Sequence, residues 1–326
     1  MNLWTLKNKI VCILSLVLIL GLITVSKQDN NMPEDNFLSS GYSVIRGNMV
    51  KIDNYLNVNK YLKGRSFSFL EQIELFQEED EYPQGLCITE DFVLISAYSG
   101  IRNKLGTVKI FDKRSGEYLI SLGMDAKSHL GGLTYDGKNI WICNSSKMAV
   151  ERIEYSLVLQ LVKEYRGKKI DVRNMVDVYR VNNIPSGITY YDGYLWITTH
   201  SVISNSVMIK YQYDDLENRL FSESIYGIPP KVQGITFNEN GEVYLSISYG
   251  RKNTSYIKKY NSVDTMSHNV NSCTESIKLP PCAEGIVYRE QKLFLIFESA
   301  GKKYLEGTDG KGRSIAPINK ILVIEE

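Results

Sequence analysis

The sequence predicts an all-β chain folded as a five-bladed β-propeller, and three observations carry that prediction. The first is a recurring phrase in which a glycine and an aliphatic residue lead into a short apolar run. It occurs at Gln84-Gly85-Leu86, Gly131-Gly132-Leu133, Ser186-Gly187-Ile188, Gln233-Gly234-Ile235 and Glu284-Gly285-Ile286. The second is the period: Gly85, Gly132, Gly187, Gly234 and Gly285 are 47, 55, 47 and 51 residues apart, the repeat of a blade of a few strands. The third is that β-branched and aromatic runs flank polar turns such as Asp136-Gly137 and Asp192-Gly193, a hairpin signature.

Each blade then reads as an inner strand from the glycine, a second strand, a third strand and an outer strand. Second strands fall at residues 92–96, 140–143, 195–198, 243–247 and 293–297. Third strands fall at 107–112, 207–213 and 256–260, and outer strands at 118–122, 220–226 and 275–279. The fifth phrase is followed by only one more strand, 320–325, so blade five lacks an outer strand. Residues 66–76 have strand character and no other place, so they fill that vacancy and remove the open edges of the array. Two stretches break the rhythm. Residues 163–180 are expected between blades two and three, and 299–317 inside blade five. Gly307-Thr308-Asp309-Gly310-Lys311-Gly312 lacks the spacing and following helix of a phosphate loop and reads as a flexible loop.

The amino terminus carries a membrane signal. Lys7 and Lys9 precede an uncharged run at residues 10–25, and a polar stretch follows from Lys27. Residues 1–27 therefore read as a signal anchor or a signal peptide, 28–64 as a polar tether and 65–326 as the propeller. Thr24-Val25-Ser26 is a poor cleavage site, which favours the uncleaved anchor; the flanking lysines place the propeller outside the cell membrane. A secreted form is the alternative. Net charge is +1 with no basic stripe, which argues against nucleic acid. The five cysteines form no CxxC pair or metal spacing. A strand between Cys273 and Cys282 holds them too far apart for a disulfide. Cys87 and Cys143 read as buried small hydrophobes.

The site is expected at one mouth of the central channel. Residues just before each glycine start at the same face to which the second strands return. The first column is Gln84, Gly131, Ser186, Gln233 and Glu284; the second is Tyr98, Ser145, His200, Ser248 and Glu298. His129, three residues before Gly132, joins them, and both insertions are expected to wall the mouth. Ligand-binding candidates are Gln84, Tyr98, His129, Asn144, Ser145, Gln233 and Ser248. Glu284, Glu298 and His200 are the candidates for catalysis, since paired carboxylates do acid–base work. Glu284, Glu298 and Asn144 are the candidates for an oxygen-rich divalent-cation site. Against these stands the plainer reading that polar strand ends satisfy backbone groups or line a wet channel. Trp141 and Trp196 occupy equivalent second-strand positions and read as packing between blades. No GxSxG, HExxH or Walker pattern occurs.

The glycine phrase resembles the superfamily of NHL, gluconolactonase-like and YVTN-type propellers over residues 66–326. Pro83-Gln84-Gly85, Ser246-Ile247-Ser248-Tyr249-Gly250 and Phe297-Glu298-Ser299-Ala300 are similar to a group of exported bacterial propellers, a resemblance that implies fold and location. Gluconolactonase-like hydrolases imply a metal on carboxylates and an asparagine, matched here by Glu284 and Asn144. Glu284-Gly285 with Glu298-Ser299-Ala300-Gly301 also resembles the five-bladed glutaminyl cyclases, with Ala300 in place of their threonine. The function expected is binding of an extracellular glycan, peptide or protein at the mouth. The alternatives are an enzyme of the lactonase or cyclase kind and a structural partner in an envelope assembly.

Overall fold

A computed structural model describes residues 42–45, 48–75 and 80–326. The expected N-terminal membrane segment lies outside these residues. Among the described residues no helix is long and apolar enough to cross a membrane.

Five antiparallel sheets build the ring. Blade 1 runs Glu81–Ile88, Phe92–Ser99, Thr107–Asp112 and Tyr118–Gly123 from the axis outward. Blade 3 runs Gly187–Tyr191, Tyr194–Thr198, Ser206–Asp214 and Arg219–Ile228. Blade 4 runs Val232–Phe237, Val243–Ile247, Ser255–Tyr260 and Glu275–Leu279. Blade 5 runs Ala283–Arg289, Lys292–Phe297 and Lys320–Glu325, and its outer strand is Phe67–Glu74. That strand pairs Leu70 with Ile321 and Phe67 with Ile324, so the N-terminal strand closes the ring as expected.

Blade 2 departs from expectation. Its strands are Leu133–Tyr135, Asn139–Asn144, Ala149–Glu154 and Asp177–Arg180. The 163–180 stretch is therefore not an insertion between blades but the route from third to outer strand within blade 2. A helix, Tyr155–Glu164, buries Tyr155, Val158 and Leu161 at helical spacing against the blade 1 and 2 core. The chain next adds Lys169–Asp171 as a fifth, parallel strand on blade 1, then returns as the outer strand of blade 2. The detour is pinned electrostatically. Buried Glu81 accepts from Thr107 at 3.1 Å and pairs with Lys109 at 3.0 Å and Lys169 at 3.4 Å. Burial alone would raise this carboxyl, but the two ammonium groups outweigh it and hold Glu81 below its ordinary range.

Blades pack face to face, and five of the six apolar clusters among the described residues lie one at each blade interface, the sixth being Tyr82, Cys282 and Tyr304 beside the chamber. Leu94 and Ile142 sit between blades 1 and 2, and Trp141 and Ile188 between 2 and 3. Trp196 and Phe237 fill the next interface, Tyr244 and Leu293 the one after, and Ile296 with Leu86 seals blade 5 to blade 1. The two tryptophans thus pack between blades. At the Asp192-Gly193 turn both residues take positive φ (50° and 82°), the backbone a two-residue hairpin needs. Packed structure also reaches into the 28–64 stretch. Helix Asn54–Asn59, capped by Asp53, is followed by Leu62, and Val58 and Leu62 are buried in the cluster of blades 4 and 5.

The recurring glycines meet at the axis. A β-carbon on Gly85 would lie 2.8 Å from the α-carbon of Gly132, and one on Gly132 would lie 2.8 Å from the Ile188 nitrogen. Only glycine lets the inner strands approach this closely. Gly131 lines a recess above and Leu133 a smaller one of about 250 Å³ below, which places Gly132 between them.

Candidate functional site

The two polar columns converge. Gln84, Gly131, Ser186, Gln233 and Glu284, with Tyr98, Ser145, His200, Ser248 and Glu298, all line one chamber of about 820 Å³. Its size suits a small organic ligand. His129 lines it too, stacked on Tyr98 with ring centroids 4.4 Å apart. Asn144 does not. Its amide donates to Glu151 at 2.7 Å and Asp125 at 3.4 Å, behind the wall, and this separates it from the glutamates of the expected cation set. Among the described residues no three His, Cys, Asp or Glu side chains are grouped to hold a metal.

The electrostatic centre is Glu284 with Glu298. Glu284 opens the inner strand of blade 5 and is 3% exposed; Glu298 follows that blade's second strand and reaches the chamber wall. The two carboxyls are neighbours, and Glu298 disfavours the ionised form of Glu284. Burial, then the neighbouring acid, drives Glu284 well above the ordinary carboxylate range. Burial also raises Glu298, against the opposing pull of the Tyr304 hydroxyl, the Lys303 ammonium and Gln84. Gln84 reaches Glu298 at 3.1 Å while donating to the Pro83 carbonyl at 2.7 Å, so its amide is fixed.

The histidines differ. His129 is pushed down by burial and then by the charges of Lys303 and His200, which keeps its imidazole neutral. His200 places Nδ1 3.1 Å from the Val232 carbonyl, which only accepts, so Nδ1 carries the hydrogen of that contact.

The blade 5 insertion walls the chamber as expected, but sequence reasoning did not name the side chains that do so. The 299–317 insertion begins with a short helix, Lys302–Glu306, and brings Lys303, Tyr304, Asp309 and Lys311 to the chamber. The 163–180 stretch supplies none of the lining, because it runs along the outer edges of blades 1 and 2. Arg251, 7% exposed, fastens the insertion from blade 4. It donates to the carbonyls of Lys303 at 2.8 Å and Gly312 at 2.6 Å, pairs with Asp309 and lies 4.3 Å over the Tyr304 ring. This residue stands one position beyond the Tyr249-Gly250 end of the blade 4 phrase, and no motif marks it. Cys282 also lines the chamber, in a left-handed backbone conformation (φ 68°), and its thiol donates to the Gly250 carbonyl at 3.8 Å. Cys273 and Cys282 are free thiols on either side of Glu275–Leu279.

No protein-family model matches the chain, and no curated protein matches it in sequence. Similar solved structures include a nidogen–laminin complex (TM-score 0.42, 12% identity, covering 66% of this chain and 72% of that one). Hydrazine synthase of Kuenenia stuttgartiensis is another (0.40, 12%, covering 68% and 56%). The PQQ-bound aldose sugar dehydrogenase of Streptomyces coelicolor is a third (0.43, 12%, covering 80% and 98%). The five-bladed β-propeller itself is read from the sheets described above.

Proposed function

We propose that the chain is an exported propeller, anchored at the cell membrane by its N-terminal segment, that binds an extracellular saccharide in its central mouth. One observation carries this reading: nine polar side chains and Gly131, drawn from five blades, meet in one chamber around two neighbouring carboxyls, Glu284 and Glu298. Such a pair both donates and accepts hydrogen bonds, which suits hydroxyl groups, and the neighbouring aromatic rings offer faces for sugar C–H groups. Membership of the NHL, gluconolactonase-like and YVTN group belongs to the same proposal.

The test is isothermal calorimetry of the full-length protein in mild detergent against neutral mono- to tetrasaccharides. At least one is expected to bind, and Glu298→Gln and Gln84→Ala to weaken it by about tenfold or more, the loss of one charge-assisted hydrogen bond. Absence of binding across the panel, or binding indifferent to both substitutions, would overturn the proposal.

A second reading draws on the closeness of Glu284 and Glu298 and on the raised affinity of both for protons. Neighbouring acids with raised proton affinity are suited to acid–base chemistry of the hydrolase or cyclotransferase kind. A divalent cation on Glu284 and Glu298 would need ligands other than Asn144.

A further inference from the structure

Lys303 has an environment that saccharide binding does not use. The insertion helix presents its Nζ to the chamber inside a box of three tyrosine rings, 4.1 Å from the centroid of Tyr82 and 4.7 Å from those of Tyr98 and Tyr304. Its side-chain hydrogen bond goes to the Tyr98 hydroxyl. Among the described residues no ion pair joins it to a carboxylate: Glu298 acts on it only as a nearby charge, and Asp309 is committed to Arg251. A half-buried lysine among rings and beside a second cation is a setting in which an amine becomes a nucleophile.

We propose that Lys303 captures a small neutral aldehyde, of the kind an open-chain sugar presents, as a Schiff base inside the chamber. The inference rests on the chamber being a ligand site and deepens that reading.

Burial, more than any neighbour, holds the Lys303 amine below its ordinary value; Glu298 opposes this and Arg251 reinforces it. The neutral amine attacks the carbonyl carbon, a C–N bond forms, and the C=O π pair moves to oxygen, which takes up a proton as Nζ releases one. The resulting hydroxyl leaves as water after the Glu284–Glu298 pair supplies a proton. The nitrogen lone pair then closes the C=N bond, and the pair is left one proton poorer, as the counter-ion of the iminium. No oxidant or reductant is consumed. The tyrosine rings favour a cation at Nζ, which opposes deprotonation at the outset, but the product is again a cation and lies over the same rings. Arg251 is held by Asp309 and two carbonyls, so it does not offer a carboxylate-bearing ligand a free partner. This favours a neutral aldehyde over an oxo acid.

The experiment is reductive trapping. Full-length protein is incubated at pH 7 with limiting glyceraldehyde and cyanoborohydride, then digested, and adducts are quantified by mass spectrometry. Lys138, whose side chain is 67% exposed, serves as the internal reference. Lys303 is expected to be modified severalfold faster than Lys138, because more of its amine is neutral at pH 7. Its pH profile should level off at lower pH than that of Lys138. Glu298→Gln is expected to slow trapping at Lys303 and leave Lys138 unchanged, whereas pyruvate should label Lys303 less than glyceraldehyde. A Lys303 rate or pH profile no different from that of Lys138 in the wild-type protein overturns the proposal, whether or not any variant folds. Saccharide binding without trapping leaves the binding reading standing; trapping without saccharide binding removes that reading and keeps the covalent one.

Discussion

The raised carboxyls of Glu284 and Glu298 tie stability to pH in a definite direction. Both carboxyls are raised in the folded chain, so between the unfolded value, about 4.3, and their folded values the native state binds more protons than the unfolded one. Stability contributed by these protons is present at low pH and is lost as pH rises through that window. The melting temperature of the wild type is expected to carry this falling component above about pH 4.3, and Glu284→Gln to remove most of it. A wild-type and variant pair with parallel pH curves, followed by calorimetry, would contradict the assignment. These two glutamates were legible because each sits at a fixed offset from a glycine or a strand end, and the other blades repeat those offsets. Lys303, Tyr304 and Arg251 were not, since an insertion has no register to count from and Arg251 shows its role only once Asp309 is beside it.

At the level of the elements, the glycine phrase has a steric explanation. The inner strands come together so closely at the axis that a β-carbon on Gly132 would press on the Ile188 nitrogen at 2.8 Å and the Gly187 α-carbon at 3.0 Å. Both are backbone atoms, so relief requires moving a strand. Gly132→Ala is expected to cost about 1–3 kcal/mol, a drop of roughly 3–10 °C in Tm by thermal denaturation. An unchanged Tm would show that the inner strands can part without loss. Strand positions followed directly from alternation and turns, and Thr107–Asp112, Glu275–Leu279 and Lys320–Glu325 fall where the pattern puts them. Blade 2 was misread for a physical reason. Its third and outer strands are separated by a helix and by three residues lent to blade 1, and a period built on hairpins cannot register a strand that leaves its own sheet.

For the whole molecule, closure depends on Phe67–Glu74 lying against Lys320–Glu325. Deleting residues 67–74 would expose the edge of Lys320–Glu325 and uncover Ile321 and Ile324. The variant is expected to lose its single cooperative unfolding transition and to elute as aggregate in size-exclusion chromatography. A monomer that melts cooperatively would mean that four blades and an open fifth suffice. Ring closure also sets an order of events. Glu71 leaves the ribosome 249 residues ahead of Lys320, the residue it will lie beside. The first strand of the propeller to be made is therefore among the last to be seated. Until then it is an unpaired ribbon on a chain still being threaded, and whatever shields it during that interval helps decide how much protein matures.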